Sequence, residues 1–138
     1  MNMSDNQDTR WRQRFSGFEK AFSKLKDAID EKELNELERD GLFQIFAFTL
    51  ELSWNVMKDF LEYKGFSFNP TPKNTFRQAF ESGFINNAQA LIDGLAIRNQ
   101  LSHNYSGEKF EKSEKVLRNE VFPELENLYQ FFTGRLAE

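Results

Sequence analysis

From Leu42 to Leu61 apolar side chains fall on nearly every side of a helical wheel: Leu42, Phe43, Ile45, Phe46, Phe48, Leu50, Leu52, Trp54, Val56, Met57, Phe60 and Leu61. Only Gln44, Glu51, Asn55, Lys58 and Glu62 make a narrow polar stripe. A helix of this kind is central in a bundle, or touches both a core and a partner. It is expected over Glu33 to Tyr63, with an amphipathic first part around Leu34 and Leu37 and Gly65 as its stop.

The rest of the chain supplies helices to surround it. Trp11, Phe15, Phe18, Phe22, Leu25 and Ile29 recur at steps of four and three, an amphipathic helix over Thr9 to Ile29. Asn69-Pro70-Thr71-Pro72 breaks the chain, and Thr71 with Pro72 starts a short third helix that ends near Ser82-Gly83. Asn86 and Gln89 have capping-box spacing for a fourth helix, which runs to about Ser102. A fifth, from Phe110 to Leu136, carries Leu117, Val121, Leu125, Leu128 and Phe132 on one face, with Pro123 expected to kink it. There is no alternating strand pattern and no repeat. The expectation is an all-α antiparallel helical bundle, four main helices and a short crossover helix, forming one domain over residues 9–138 behind a flexible tail, residues 1–8.

With 138 residues and no cysteine, the chain has the length for a real core and no thiolate chemistry. No segment approaches the roughly 20 apolar residues of a membrane helix. The polar start lacks the apolar stretch of a signal peptide, so a cytoplasmic protein is expected. The net charge of −4 argues against general binding to a nucleic-acid backbone. Arg10, Arg12 and Arg14 around Trp11 are a local exception, most simply a solvated basic helix start. Sixteen phenylalanines in so short a chain suggest a subunit interface as well as a core.

One polar constellation stands out: Arg98-Asn99-Gln100-Leu101-Ser102-His103-Asn104-Tyr105, with the only histidine of the chain. Five helical steps turn about 140°, so Arg98 and His103 share a face only if the helix ends between them or if they meet across a subunit boundary. One reading is structural: His103 caps the helix end and Arg98 pairs with a carboxylate such as Asp93. The other is phosphate chemistry. Arginine offers a fixed fork of donors, histidine exchanges a proton near neutral pH, Asn99 is a neutral donor and acceptor, and Tyr105 adds a hydroxyl. Such a set suits metal-free RNA cleavage through the 2′-hydroxyl, or the holding of a nucleotide phosphate. Cleavage needs an acid and a base, and one histidine per chain then requires a two-fold dimer. No metal-ligand cluster surrounds His103, no Gly-rich phosphate loop or hydrolase elbow occurs, and no cofactor is expected.

Arg98-Asn99, His103 and Tyr105 resemble the Arg-x4–6-His motif of the HEPN superfamily. Trp11-Arg12-Gln13-Arg14-Phe15 is similar to the family's start. Glu51-Leu52-Ser53-Trp54 with Lys58-Asp59 is similar to its central helix. Pro72 with Thr75-Phe76-Arg77-Gln78-Ala79-Phe80-Glu81-Ser82-Gly83-Phe84-Ile85 is similar to its crossover. Together, in order, they most resemble the nucleotidyltransferase substrate-binding branch; the residues before Thr9 and the loop from Asp30 to Arg39 do not match. The resemblance implies a homodimeric helical bundle partnered by a separate minimal nucleotidyltransferase that carries the metal and the transfer chemistry. The chain then binds the substrate, a nucleotide or RNA, through Arg98, Asn99, His103 and Tyr105. In related pairs the two proteins form a toxin–antitoxin module. There the HEPN chain is a metal-independent endoribonuclease using the positions of Arg98 and His103, and the nucleotidyltransferase silences it, in some cases by adenylylating the residue at the position of Tyr105.

Overall fold

The structure, a computed structural model, describes residues 3–101 and 107–138. Among them there is no strand, and no helix is long and apolar enough to cross a membrane. The helices are α1 (Met3–Asp30), α2 (Glu36–Tyr63), α3 (Pro72–Glu81), α4 (Ala88–Gln100), α5 (Gly107–Val116), a π-helical turn (Leu117–Val121) and α6 (Phe122–Leu136).

The heptad-like stripe of α1 buries as its spacing requires: Trp11, Phe15, Phe18, Phe22 and Leu25 are all inside. It packs along α2 and α6. Trp11 meets Phe60 near the end of α2 and Phe132 near the end of α6, whereas Phe22 stacks on Phe122 at the start of α6. Pairing early with late fixes α1 as antiparallel to both. The segment 42–61 is central, with Leu42, Phe43, Phe46, Leu50, Val56, Met57, Phe60 and Leu61 buried by the chain's own helices. Phe48 stays outside, 57% exposed. Most of the phenylalanines likewise fill the chain's own core, so the surplus expected for an interface is largely consumed inside the monomer.

Helix ends follow local chemistry. Asn35 and Glu38 form a reciprocal capping box that starts α2 at Glu36, three residues past the expected Glu33. Thr71 caps α3, with Pro72 in its first turn, as expected. Gly65 and Gly83 take positive φ, 92° and 79°. After each, a phenylalanine N–H reaches back, Phe66 to Leu61 and Phe84 to Ala79, which closes a Schellman motif. The two phenylalanines so delivered meet edge to face, 6.1 Å apart.

Other boundaries also differ from expectation. α1 begins at Met3, so residues 3–8, expected as tail, are helical. Asp8 explains the extension: it accepts from Trp11 Nε1 and Arg12 Nε and so ties the first turns to buried Trp11. The cap of α4 is Asn87, not Asn86, and Gln89 bonds Asp93 instead of closing a box. The break at Pro123 takes the form of the π-helical turn. Proline has no N–H and its ring would crowd the carbonyl four residues back. One wider turn, closed by Phe122 N–H to Leu117 O, resets the register.

Candidate functional site

Arg98 and Asn99 lie in the last turn of α4, and three features hold that helix in place. The Asn87 side chain accepts from Ala90 N–H at 3.0 Å. Glu124, buried on α6, adds a cap from another helix: its Oε1 accepts from the N–H groups of Asn86 and Asn87 at 2.8 and 3.2 Å, and its Oε2 from Asn127 Nδ2. Carboxylate charge at the positive end of a helix is stabilising. Gly94 then allows close approach. A Cβ there would stand 2.9 Å from Val121 Cγ1 in the π-helical turn and 3.4 Å from Phe46 Cζ.

Arg98 does not pair with Asp93. Its Nη1 donates to Glu51 Oε2 on α2 at 2.7 Å, and its Nη2 to Asn99 Oδ1 at 3.4 Å. The Glu51 side chain is 49% exposed, so this is a surface pair worth about 1 kcal/mol or less. It leaves other N–H groups of the guanidinium's five for an anion. His103 and Tyr105, with Ser102 and Asn104, lie outside the described residues.

Two clefts of about 350 Å³ each flank α4. One runs between the start of α3 and the end of α4 and includes Lys73, Arg98 and Asn99. The other faces α5 and mixes charge, with Asp93 and Lys112 on its walls. Among the described residues no group of three or more acidic, histidine or cysteine side chains is placed to hold a metal.

Of the three arginines at the start of α1, Arg10 is exposed, as expected of a solvated helix start, while Arg12 and Arg14 also have structural partners. Arg14 forms an ion pair with buried Asp59, which also faces Lys58 Nζ at 3.7 Å. Arg12 donates to the carbonyls of Leu136 and Glu138, both at 3.1 Å, and so caps α6 from α1. A second arginine does the same for α1: Arg118 donates to the carbonyls of Ile29 and Glu31 at 2.7 and 3.0 Å. Glu114 holds that arginine, and Arg39 of α2 with it, at 2.8 and 2.6 Å. Burial works to raise the pKa of Glu114, but the hydrogen bonds and charges of Arg39 and Arg118 outweigh it, and the carboxyl is held below its ordinary value.

The sequence singled out Arg98 and Asn99 as candidates but gave no sign of the residues that position them. Glu124 is 37 and 38 residues from the groups it caps, and no local pattern marks it. Glu51 stood in a quoted segment without a role. Arg14 with Asp59, and Glu51 with Arg98, now connect the segments that carried the resemblance.

A comparison with curated proteins gives no match. A crystal structure of a protein from Thermus thermophilus has the same fold, with a TM-score of 0.65 and 26% sequence identity, covering 88% of this chain and 99% of that one. The sequence profile of the family described as nucleotidyltransferase substrate binding protein like matches residues 13–133, which takes in nearly all of the segments singled out above. The chain belongs to that family.

Proposed function

We propose that this chain is the substrate-binding subunit of a two-component system, paired with a separate minimal nucleotidyltransferase as in toxin–antitoxin modules, and that it presents Arg98, Asn99, His103 and Tyr105 to the substrate. The observation that carries the reading is the state of Arg98: at the surface end of α4, on a cleft, held by a half-exposed carboxylate and not buried in an internal ion pair. The chain works as a homodimer, with Arg98 and His103 of both copies lining one cleft. Phe48 supports this, an exposed aromatic one helical turn from Glu51. Tyr105 is the candidate for modification by the partner.

The test is co-expression with the neighbouring nucleotidyltransferase and purification through a tag on either chain. A stable complex is expected; no complex in both orientations would overturn the reading. The ribonuclease alternative draws on the retained Arg98 and His103 spacing. It requires that the chain expressed without its partner cleave RNA and slow growth, and that His103→Ala abolish both while the dimer persists. Absence of cleavage by the wild-type chain leaves the binding role alone.

A further inference from the structure

The outward side of α3 has no explanation in the fold. Residues three and four apart share a helix face, and Lys73, Arg77 and Phe80 follow that spacing. All three are exposed. On the opposite side of the same helix Thr75, Phe76 and Ala79 are buried, so α3 already spends one face on the core. Phe80, 50% exposed, is outside that core.

Neither cation supports the chain's own stability. Lys73 and Arg77 form no ion pair with any described residue. Lys73 is in the first turn of α3, where the positive end of the helix opposes it. Arg77 has Glu81 four residues on and does not pair with it. Aromatic rings and arginines are, by contrast, the residues enriched where proteins meet. An occupant of this face must bring an apolar pocket for Phe80 and carboxylates for Lys73 and Arg77. A second copy fits poorly: on a two-fold axis Lys73 and Arg77 of each would meet only Glu81 of the other. RNA fits poorly too, because exposed Glu81 adjoins Phe80 and the surface is the convex side of a helix, not a groove. A protein with acidic residues around an apolar pocket meets each requirement. Lys73 also lines the cleft that contains Arg98 and Asn99, so a protein seated on α3 abuts the end of α4.

We propose that the outward face of α3 is the docking surface for the nucleotidyltransferase, with Phe80 entering an apolar pocket and Lys73 and Arg77 meeting acidic residues around it. The proposal rests on the reading of this chain as one half of a two-component system and adds the surface that joins the halves.

The test is calorimetric titration of the full chain with the purified nucleotidyltransferase at low and high salt. Phe80→Ala and Arg77→Glu are each expected to weaken the complex by about tenfold or more. Added salt weakens the wild-type complex more than that of Arg77→Glu, because the variant has lost part of the charge attraction. A lysine in place of an acidic residue on the partner's contact surface restores binding to Arg77→Glu. Melting temperatures stay as in wild type, since both side chains are exposed and unpaired. Lys20→Glu, an exposed charge reversal on α1, leaves the Kd unchanged. The proposal falls if Phe80→Ala and Arg77→Glu bind like wild type or if Lys20→Glu loses as much as they do. It also falls if ribonuclease dissolves the complex, or if Phe80→Ala breaks the chain's own dimer. The two readings fail differently: no complex with the wild-type chain overturns both, whereas a complex indifferent to α3 overturns the docking surface and leaves the partner reading standing.

Discussion

The two ends of this bundle are closed by opposite chemistry. At one end Trp11, Phe60 and Phe132 form a ring cluster, with centroids 5.2 to 5.6 Å apart, that Phe131, Phe84 and Phe66 extend outward. At the other, Glu114 gathers Arg39 and Arg118, and Arg118 satisfies the last carbonyls of α1. Ring packing, here mostly edge to face, is indifferent to pH. The ionic clasp is directional and holds only while Glu114 is charged. α1 explains the need for it: its last turn contains no basic residue, so its orphan carbonyls depend on a donor from elsewhere. The aromatic end buries its rings out of reach of pH, while the ionic clasp fixes where α5 and the π-helical turn lie, and through Val121 where α4 lies.

The contrast would break first at Phe60. It is 1% exposed and touches four other aromatic rings of the cluster. Phe60→Ala is expected to cost about 3–5 kcal/mol in urea unfolding. A loss under about 1 kcal/mol would show that the aromatic end is not the dominant one.

Between the ends, Gly94→Val tests whether α4 is held by close approach. The stiff Val121 side chain has no room to yield, and overpacking of this kind costs about 1–3 kcal/mol, more than the small gain in helix propensity. A variant as stable as wild type would mean that α4 is free to shift.

The smallest effect sharpens the comparison most. Glu114→Gln is expected to cost about 1–2 kcal/mol at pH 7. Because the folded carboxyl titrates below its ordinary value of 4.5, the contribution is fully present above that value and is lost as pH falls through the lower, folded one. The difference between variant and wild type should therefore shrink on acidification below about pH 4.5, while the cost of Phe60→Ala stays level. Thermal melts of both variants at neutral and acid pH check this; equal behaviour would remove the distinction between the ends.

Much of the architecture was legible in the residues. The stripe of α1, the central character of residues 42–61, the Thr71-Pro72 start and the Gly65 stop all act within one or two turns, so their consequences can be read along the chain. The errors came from competing partners, one of them local and the others distant in the chain. Asp8 lengthened α1 because its carboxylate found Trp11 and Arg12. Asn87 won the cap of α4 because Glu124 took the N–H groups of Asn86 and Asn87. The charged start of α1 misled because Arg12 and Arg14 each found a partner on another helix, which a helical wheel does not show.

By itself, then, the sequence determined the helices, most of their ends and the family. The tertiary structure alone decided that Arg98 lies on Glu51 and shares a cleft with Lys73, that Arg12 and Arg118 cap helices other than their own, and that Glu124 and Gly94 seat α4. The reason is range. Helical patterns and caps join residues a few positions apart, whereas the hydrogen bonds that seat α4 and hold Arg98 join residues 37 to 47 positions apart. Those come together only when apolar faces have packed and brought their polar rims into register.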